Sequence, residues 1–327
     1  MNIVQISRKP AKGQFSLERL KKISSEEFEN NAVLNLTLPY NSRGIINKLR
    51  NILFTMRLGK MDVVHVMGDI HYIIPFLRCK KIILTLLDFV ALDQKYGIKR
   101  IMFKLFWFDF PLFFVSQIIT LSKQVKEEVI KKYPKFLNKI HIIPSPLDPI
   151  FNSRTTHSRV DRRLLFIGIK ENKNLYRSVE ALNKLKLDDN LTLVLVAPFQ
   201  PDCIKKLNDN ILVELHDNLT DLDLLEEYDK AEILLFPSLS EGFGLPIVEA
   251  QSRGCLVITS NREPMRGVAG IGGAILVDPE SVDSLALGLN QAISSKDPNI
   301  LKDGYNNSKK YSAKFYINRH LRIYKQK

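Results

Sequence analysis

The segment Pro237 to Glu249, P-S-L-S-E-G-F-G-L-P-I-V-E, concentrates residue types that suit an anion and a set of hydroxyls. Gly242 and Gly244 let a backbone approach a ligand closely, and N–H groups at a helix entrance favour an anion. Pro246 suits the start of that helix, where its missing N–H costs nothing. Glu241 falls in the loop and Glu249, eight residues on, is expected in the first helical turn. A carboxylate accepts two hydrogen bonds, so it fits the paired hydroxyls of a sugar or a ribose. The spacing implies a ligand that is both phosphorylated and sugar-like.

A second element supports this. Phe166 to Leu175, F-I-G-I-K-E-N-K-N-L, reads as a strand, a glycine, a basic loop and a helix start. Lys173 at that helix entrance can meet a diphosphate, helped by local N–H groups. Together the two segments resemble the E-x7-E signature and supporting motif of the family 4 retaining glycosyltransferases, whose fold is GT-B. That family commonly has G-R followed by K-N. Lys173 and Asn174 match, whereas Ile169 stands in the arginine position and Lys170 supplies a charge one residue later. Lysine lacks arginine's planar fork.

The resemblance implies a retaining transfer of a sugar, mannosyl or glucosyl in type, from a UDP- or GDP-sugar to an acceptor hydroxyl. It assigns Glu249 to the donor ribose. Glu241, with the N–H groups of Gly242, Phe243 and Gly244 and the helix start at Leu245, would hold the transferred sugar. Lys173, with Lys170 and Asn174, would stabilise the leaving diphosphate. No D-x-D-like metal site is evident, and neither cofactor nor metal is expected. Many relatives build O-antigen, capsule or exopolysaccharide on lipid-linked saccharides.

In the first half, Met61 to Tyr72, M-D-V-V-H-V-M-G-D-I-H-Y, resembles a G-D-x-H-Y element of some bacterial members. It would place Asp69 and His71 toward the cleft, to bind hydroxyls or handle a proton. His65, inside the strand, reads as core. Lys81 to Phe89 looks like a segment that usually reads T-x-H-D; Thr85 and Asp88 match, but Leu87 replaces the histidine. Gly13, in the first βα turn with Lys9 and Lys12, is a further candidate beneath the donor diphosphate. One glycine makes neither a dinucleotide fingerprint nor a P-loop. Val213 to Thr220 would lie beside the nucleobase.

These loops need strands and helices to carry them. In the second half, apolar runs at Leu164–Ile167, Leu191–Ala197, Ile211–Leu215, Ile233–Phe236, Leu256–Thr259 and Ala274–Val277 alternate with helical spacing. Alternating β and α implies a parallel sheet with helices on both faces and ligands at the carboxyl ends of its strands. The first half reads similarly, with strands at Asn2–Ile6, Val33–Leu36, Val63–Val66, Lys81–Leu86 and Gln117–Leu121. Helices are expected at Ser16–Ile23, Ile45–Leu58, Gln94–Phe108 and Lys123–Lys132. Pro144–Pro149 begins a linker. The expectation is α/β: two doubly wound Rossmann-like domains facing across a cleft. They would span 1–153, on the acceptor side, and 154–305, on the nucleotide-sugar side, with a C-terminal helix at 306–327 crossing back to the first.

The 327 residues hold three cysteines without a C-x-x-C pair, which suits a reducing cytoplasm. The start lacks the order of a signal peptide, and no apolar run approaches a membrane span. Residues 1–155 hold 25 Lys+Arg against 12 Asp+Glu; residues 156–300 hold 15 against 22; the tail holds 8 against 1. Such asymmetry suggests an anionic partner on one side. No nucleic-acid module is recognisable, so a membrane surface or a lipid diphosphate acceptor fits better than nucleic acid. A peripheral enzyme at the inner face of a bacterial cytoplasmic membrane is expected. Ile101–Val115, the most aromatic stretch, reads either as a helix packed into the first domain and stopped before Pro111, or as an interfacial element beside Lys99 and Arg100. A GT-B epimerase or phosphorylase, and a non-catalytic nucleotide-sugar or glycan-binding protein, remain the alternative readings.

Overall fold

The structure is a computed structural model describing residues 1–10, 23, 28, 33–152, 158–186, 190–295 and 297–326. Gly13 and most of the expected helix Ser16–Ile23 lie outside the described residues. The chain forms two compact units. One comprises Met1–Pro146 with Ala313–Lys327, the other Leu147–Ser312. The first change of unit falls inside the proline-rich stretch expected to begin the linker.

The first unit is built on β1 (Ile3–Ser7), β2 (Val33–Thr37), β3 (Met61–Met67), β4 (Cys79–Leu86), β5 (Gln117–Thr120) and β6 (Ile140–Ile142). All are parallel, in the order β2-β1-β3-β4-β5-β6. β6 was not expected: three residues between a helix and a proline-rich stretch carry too little periodicity to read. The helix Ala313–Lys325 belongs to this unit. Its Tyr316, Ile317, Ile323 and Tyr324 pack with Ile3, Val63, Ile83 and Ile119 of the sheet. The Lys81 ammonium donates to the Ile323 and Gln326 carbonyls, each at 2.7 Å, and so caps the helix's negative end. The basic tail thus returns to the basic half, as expected.

The second unit carries β7 (Arg163–Ile167), β8 (Leu191–Val196), β9 (Ile211–His216), β10 (Ile233–Phe236), β11 (Leu256–Ser260) and β12 (Ile275–Val277). They too are parallel, in the order β12-β11-β10-β7-β8-β9. β10 and β11 are buried throughout, because helices cover both faces of the sheet. β9, at the edge, is mostly open. The strand order reverses between β7 and β10, which is the switch point where such sheets bind ligands, at the strands' carboxyl ends. In the first unit the equivalent point lies between β1 and β3.

The aromatic stretch is not a helix stopped before Pro111. It runs as Gly97–Lys104, a π turn at Leu105–Asp109 and a last α segment at Phe110–Phe113. The π turn is a local widening of the helix, and Pro111 falls at the start of the α segment that follows it. Phe108 and Leu112 are buried, while Phe106 and Phe113 stand exposed.

Candidate functional site

The loops after β7 and β10 meet at the switch point of the second unit. Lys173 Nζ donates to Glu241 Oε1 at 2.6 Å, and both side chains are largely shielded, at 18% and 15% exposure. The same ammonium stands 4.5 Å from the centre of the Phe236 ring, a cation–π contact at the end of β10. Gly168 has φ +85°, and the lysine stem lies 3.4 Å from where a Cβ would project. A side chain there would be strained in its backbone, so glycine lets the chain turn beneath Lys173.

Asparagines knit the loops together. Asn172 Nδ2 donates to the Ser240 carbonyl at 2.9 Å and to Glu241 Oε1 at 3.3 Å, and the Leu239 N–H returns a bond to the Asn172 carbonyl at 2.7 Å. Asn174 is left-handed, φ 66°, a conformation its short polar side chain tolerates. Its buried amide donates to the carbonyls of Pro237, at 3.2 Å, and Pro279, at 2.6 Å. The sequence placed Asn174 among ligand-binding residues; its side chain braces three loops. Lys170 is exposed beside them. Ile169, in the arginine position, packs its side chain against the core of the unit.

The helix that follows is Leu245–Ser252, entered through Gly244 at φ +104°. Pro246 is its second residue, so Glu249 lies one turn in, not in the first turn as expected. Glu249 as a whole is 3% exposed, and Tyr228 Oη donates to its Oε2 at 2.8 Å. Tyr228 is fully buried on the helix Asp221–Lys230, against Phe151 with ring centres 5.6 Å apart. Sequence reasoning missed this residue. One signal was present: Leu225 and Tyr228, three apart, share a buried helix face, and a buried tyrosine hydroxyl needs a partner. Phe243 is buried and meets Tyr311 edge to face at 5.7 Å. Gly242 is exposed, with open space where a Cβ would go. Leu245 is half-buried at the helix start.

The first-unit candidates separate. Asp69 is exposed after β3, and Arg8, after β1, donates to its Oδ1 at 3.0 Å across that unit's own switch point. His71 is not open to a substrate, which corrects the sequence reading. It is 4% exposed, its Nδ1 bonds the Trp107 carbonyl at 2.9 Å, and Phe108 lies edge-on. Burial lowers its pKa to about 4, outweighing that bond and the pull of Asp69. It is neutral near pH 7 and has no charge to give a reacting group. His65 is core, as expected: Nε2 pairs with Thr85 Oγ1 and Nδ1 with Tyr324 Oη, both at 2.7 Å. Thr85 therefore serves the core, while Asp88 is exposed. Among the described residues, no three His, Cys, Asp or Glu side chains are grouped to hold a metal ion.

The family model for glycosyl transferases group 1 matches residues 155–312, which hold both loops and Glu249. Among curated proteins, the O-antigen chain mannosyltransferase RfbU of Salmonella typhimurium is 27% identical over 179 residues, 52% of this chain and 48% of its own length. The chain spans about half the length of the first curated relatives it matches. Among solved structures, a glycosyltransferase from Rickettsia africae superposes with a TM-score of 0.74 at 18% identity, covering 99% of this chain and 98% of that one. Anabaena HepE, solved with UDP and glucose, superposes with a TM-score of 0.72 at 15% identity, covering 98% and 99%. The fold, two parallel six-stranded sheets flanked by helices, is that of the GT-B glycosyltransferases.

Proposed function

With residues 155–312 a glycosyl transferases group 1 domain, we propose that this chain is a retaining glycosyltransferase moving a hexose from a nucleoside diphosphate sugar to an acceptor hydroxyl. The carrying observation is the Lys173–Glu241 contact at the switch point, with the buried Glu249 on the helix behind it. The UDP and glucose bound by HepE support a nucleotide-sugar donor, and the O-antigen role of RfbU supports a mannosyl donor in polysaccharide synthesis. The acceptor we propose is a lipid-linked saccharide, used at the inner face of a bacterial cytoplasmic membrane.

In this reading Glu249 accepts hydrogen bonds from the donor ribose. Glu241 and the N–H groups of Gly242, Phe243 and Gly244 hold the sugar. Lys173 leaves Glu241 to neutralise the diphosphate, helped from the rim by Lys170. The acceptor oxygen attacks the anomeric carbon on the face that the diphosphate leaves. The bond to the diphosphate breaks, and the acceptor proton passes to a departing phosphate oxygen. Charge growing on that leaving group is what Lys173 stabilises, so no metal is needed. Asp69, exposed after β3, is proposed to bind acceptor hydroxyls; His71 is given no part in the chemistry.

The test is thermal stabilisation by UDP-, GDP-, ADP- and TDP-sugars, for the native chain and for Glu249→Ala, followed by product detection with EDTA present. A shift with one donor, lost in the variant, and transfer in EDTA are expected. Ile169 in the arginine position favours one second reading, a protein that binds nucleotide sugars without turnover. Stabilisation by a donor with no product from any acceptor would select it.

A further inference from the structure

Two neighbouring helices of the first unit expose faces that a monomeric protein normally covers. The helix Ile45–Met56 holds Ile45, Ile46, Leu49, Leu53 and Met56 at 42–77% exposure. At about 100° per residue, these five fall within roughly a quarter of its circumference. Asn51 and Thr55 are buried on its inner side. The second helix, residues 97–113, holds Ile98, Ile101, Leu105, Phe106, Phe110 and Phe113 at 48–75% exposure. In an uninterrupted α-helix Phe110 would sit about 120° round from Ile98. The π turn adds one residue to that stretch and swings the later side chains back by about 100°, onto the face of Ile98 and Leu105. The helices are adjacent. Lys48 Nζ lies 4.7 Å from the centre of the Trp107 ring, and Asn51 donates to Tyr72 Oη at 3.0 Å, beside that ring.

Charge indicates what covers these faces. Residues 38–61 hold Arg43, Lys48, Arg50, Arg57 and Lys60 with no Asp or Glu, and Lys99 is exposed in the first turn of the second helix. A second copy meeting this surface through a two-fold axis would set like charges against each other. Large apolar side chains beside exposed cations suit an anionic lipid surface, with rings at the headgroup boundary and ammonium groups at the phosphates. Among the described residues no helix is long and apolar enough to cross a membrane. We propose that helices 45–56 and 97–113 form a docking face for an anionic bilayer. These helices belong to the first unit, whereas Lys173, Glu241 and Glu249 belong to the second, and the helices' residues have no part in the donor chemistry described above.

The test is flotation of the full chain with phosphatidylcholine vesicles, with and without phosphatidylglycerol. Trp107, the single tryptophan, reports contact through quenching by brominated lipid. Partition into the anionic vesicles alone, weakened by salt, with quenching of Trp107, is expected. Phe110→Ser combined with Phe113→Ser should lower partition about tenfold. Leu222→Ser, which removes an exposed leucine of the second unit, should leave it unchanged. Melting temperature and donor-induced stabilisation, read on the same preparations, show that each variant folds and keep failure of the donor reading separate. No partition into anionic vesicles overturns the proposal. So does partition that the paired phenylalanine variant leaves intact, or a concentration-dependent dimer, lost in that variant, without vesicle binding.

Discussion

Lys173 and Glu241 satisfy each other, so in the proposed reading a donor takes the ammonium from the carboxylate. A phosphate group offers more charge and more acceptor oxygens than one carboxylate, which makes the exchange favourable. Lys173→Ala should lower kcat by about a hundredfold, the scale of losing one donor to developing charge. Steady-state rates at saturating donor check this. Tyr228 should act through Glu249. Its hydroxyl holds one carboxylate oxygen, and losing a hydrogen bond to a charged group costs about 1.5–3 kcal/mol. Tyr228→Phe should raise the donor KM about tenfold with kcat little changed, and the effect should vanish in a Glu249→Ala background. A purely structural role would instead lower stability and leave the KM of folded enzyme unaltered.

At the scale of the element, Gly242 and Gly244 look alike in sequence and differ in the fold. Gly244 sits at φ +104°, and a Cβ there would come 3.2 Å from Ile247 Cδ1. Gly244→Ala should cost about 1–3 kcal/mol and lower the melting temperature by several degrees. Gly242→Ala meets open space, so it should leave the melting temperature alone while weakening donor stabilisation. Thermal melts with and without donor separate the two. The helices and strands carrying these loops were legible because buried parallel strands read as unbroken apolar runs. The π turn at Leu105–Asp109 was not. Pairing each N–H with the fourth or the fifth preceding carbonyl depends on what the side chains pack against, here Phe108 and Leu112 in the core.

Across the whole molecule, three histidines make acid sensitivity a property of the first unit. His65, His71 and His320 are buried there, and burial holds all three below the ordinary 6.5, His71 and His320 at about 4. The neighbours do not reverse the sign. His320 adds to the opposition to charge on the His65 ring, while Asp69 and the carbonyls of Trp107 and Tyr316 favour the charged form too weakly. A depressed folded pKa means the unfolded chain binds the extra proton. Stability from these groups is whole above about pH 6.5 and is lost as pH falls toward 4. Melting temperature across that range should fall, and His320→Gln should flatten the slope even if it lowers the plateau. The same unit holds the cationic helices and the returning basic tail, so net charge along the chain was a sound guide to where positive surface collects.

Sequence by itself determined the α/β alternation, the two halves, the return of the tail and the E-x7-E loop. Each rests on local pattern: apolar period, glycine and proline placement, and charge per segment. Lys173 and Glu241 were both named from sequence, but sixty-eight residues separate them, and only the strand order that brings β7 beside β10 made them partners. Only tertiary structure decided that Asn174 is a brace and His71 is shut in. Both turn on burial and on which distant carbonyl a side chain reaches. Tyr228 became visible for the same reason. A hydroxyl's partner is fixed by how helices pack on a sheet, and no window of consecutive residues holds that information.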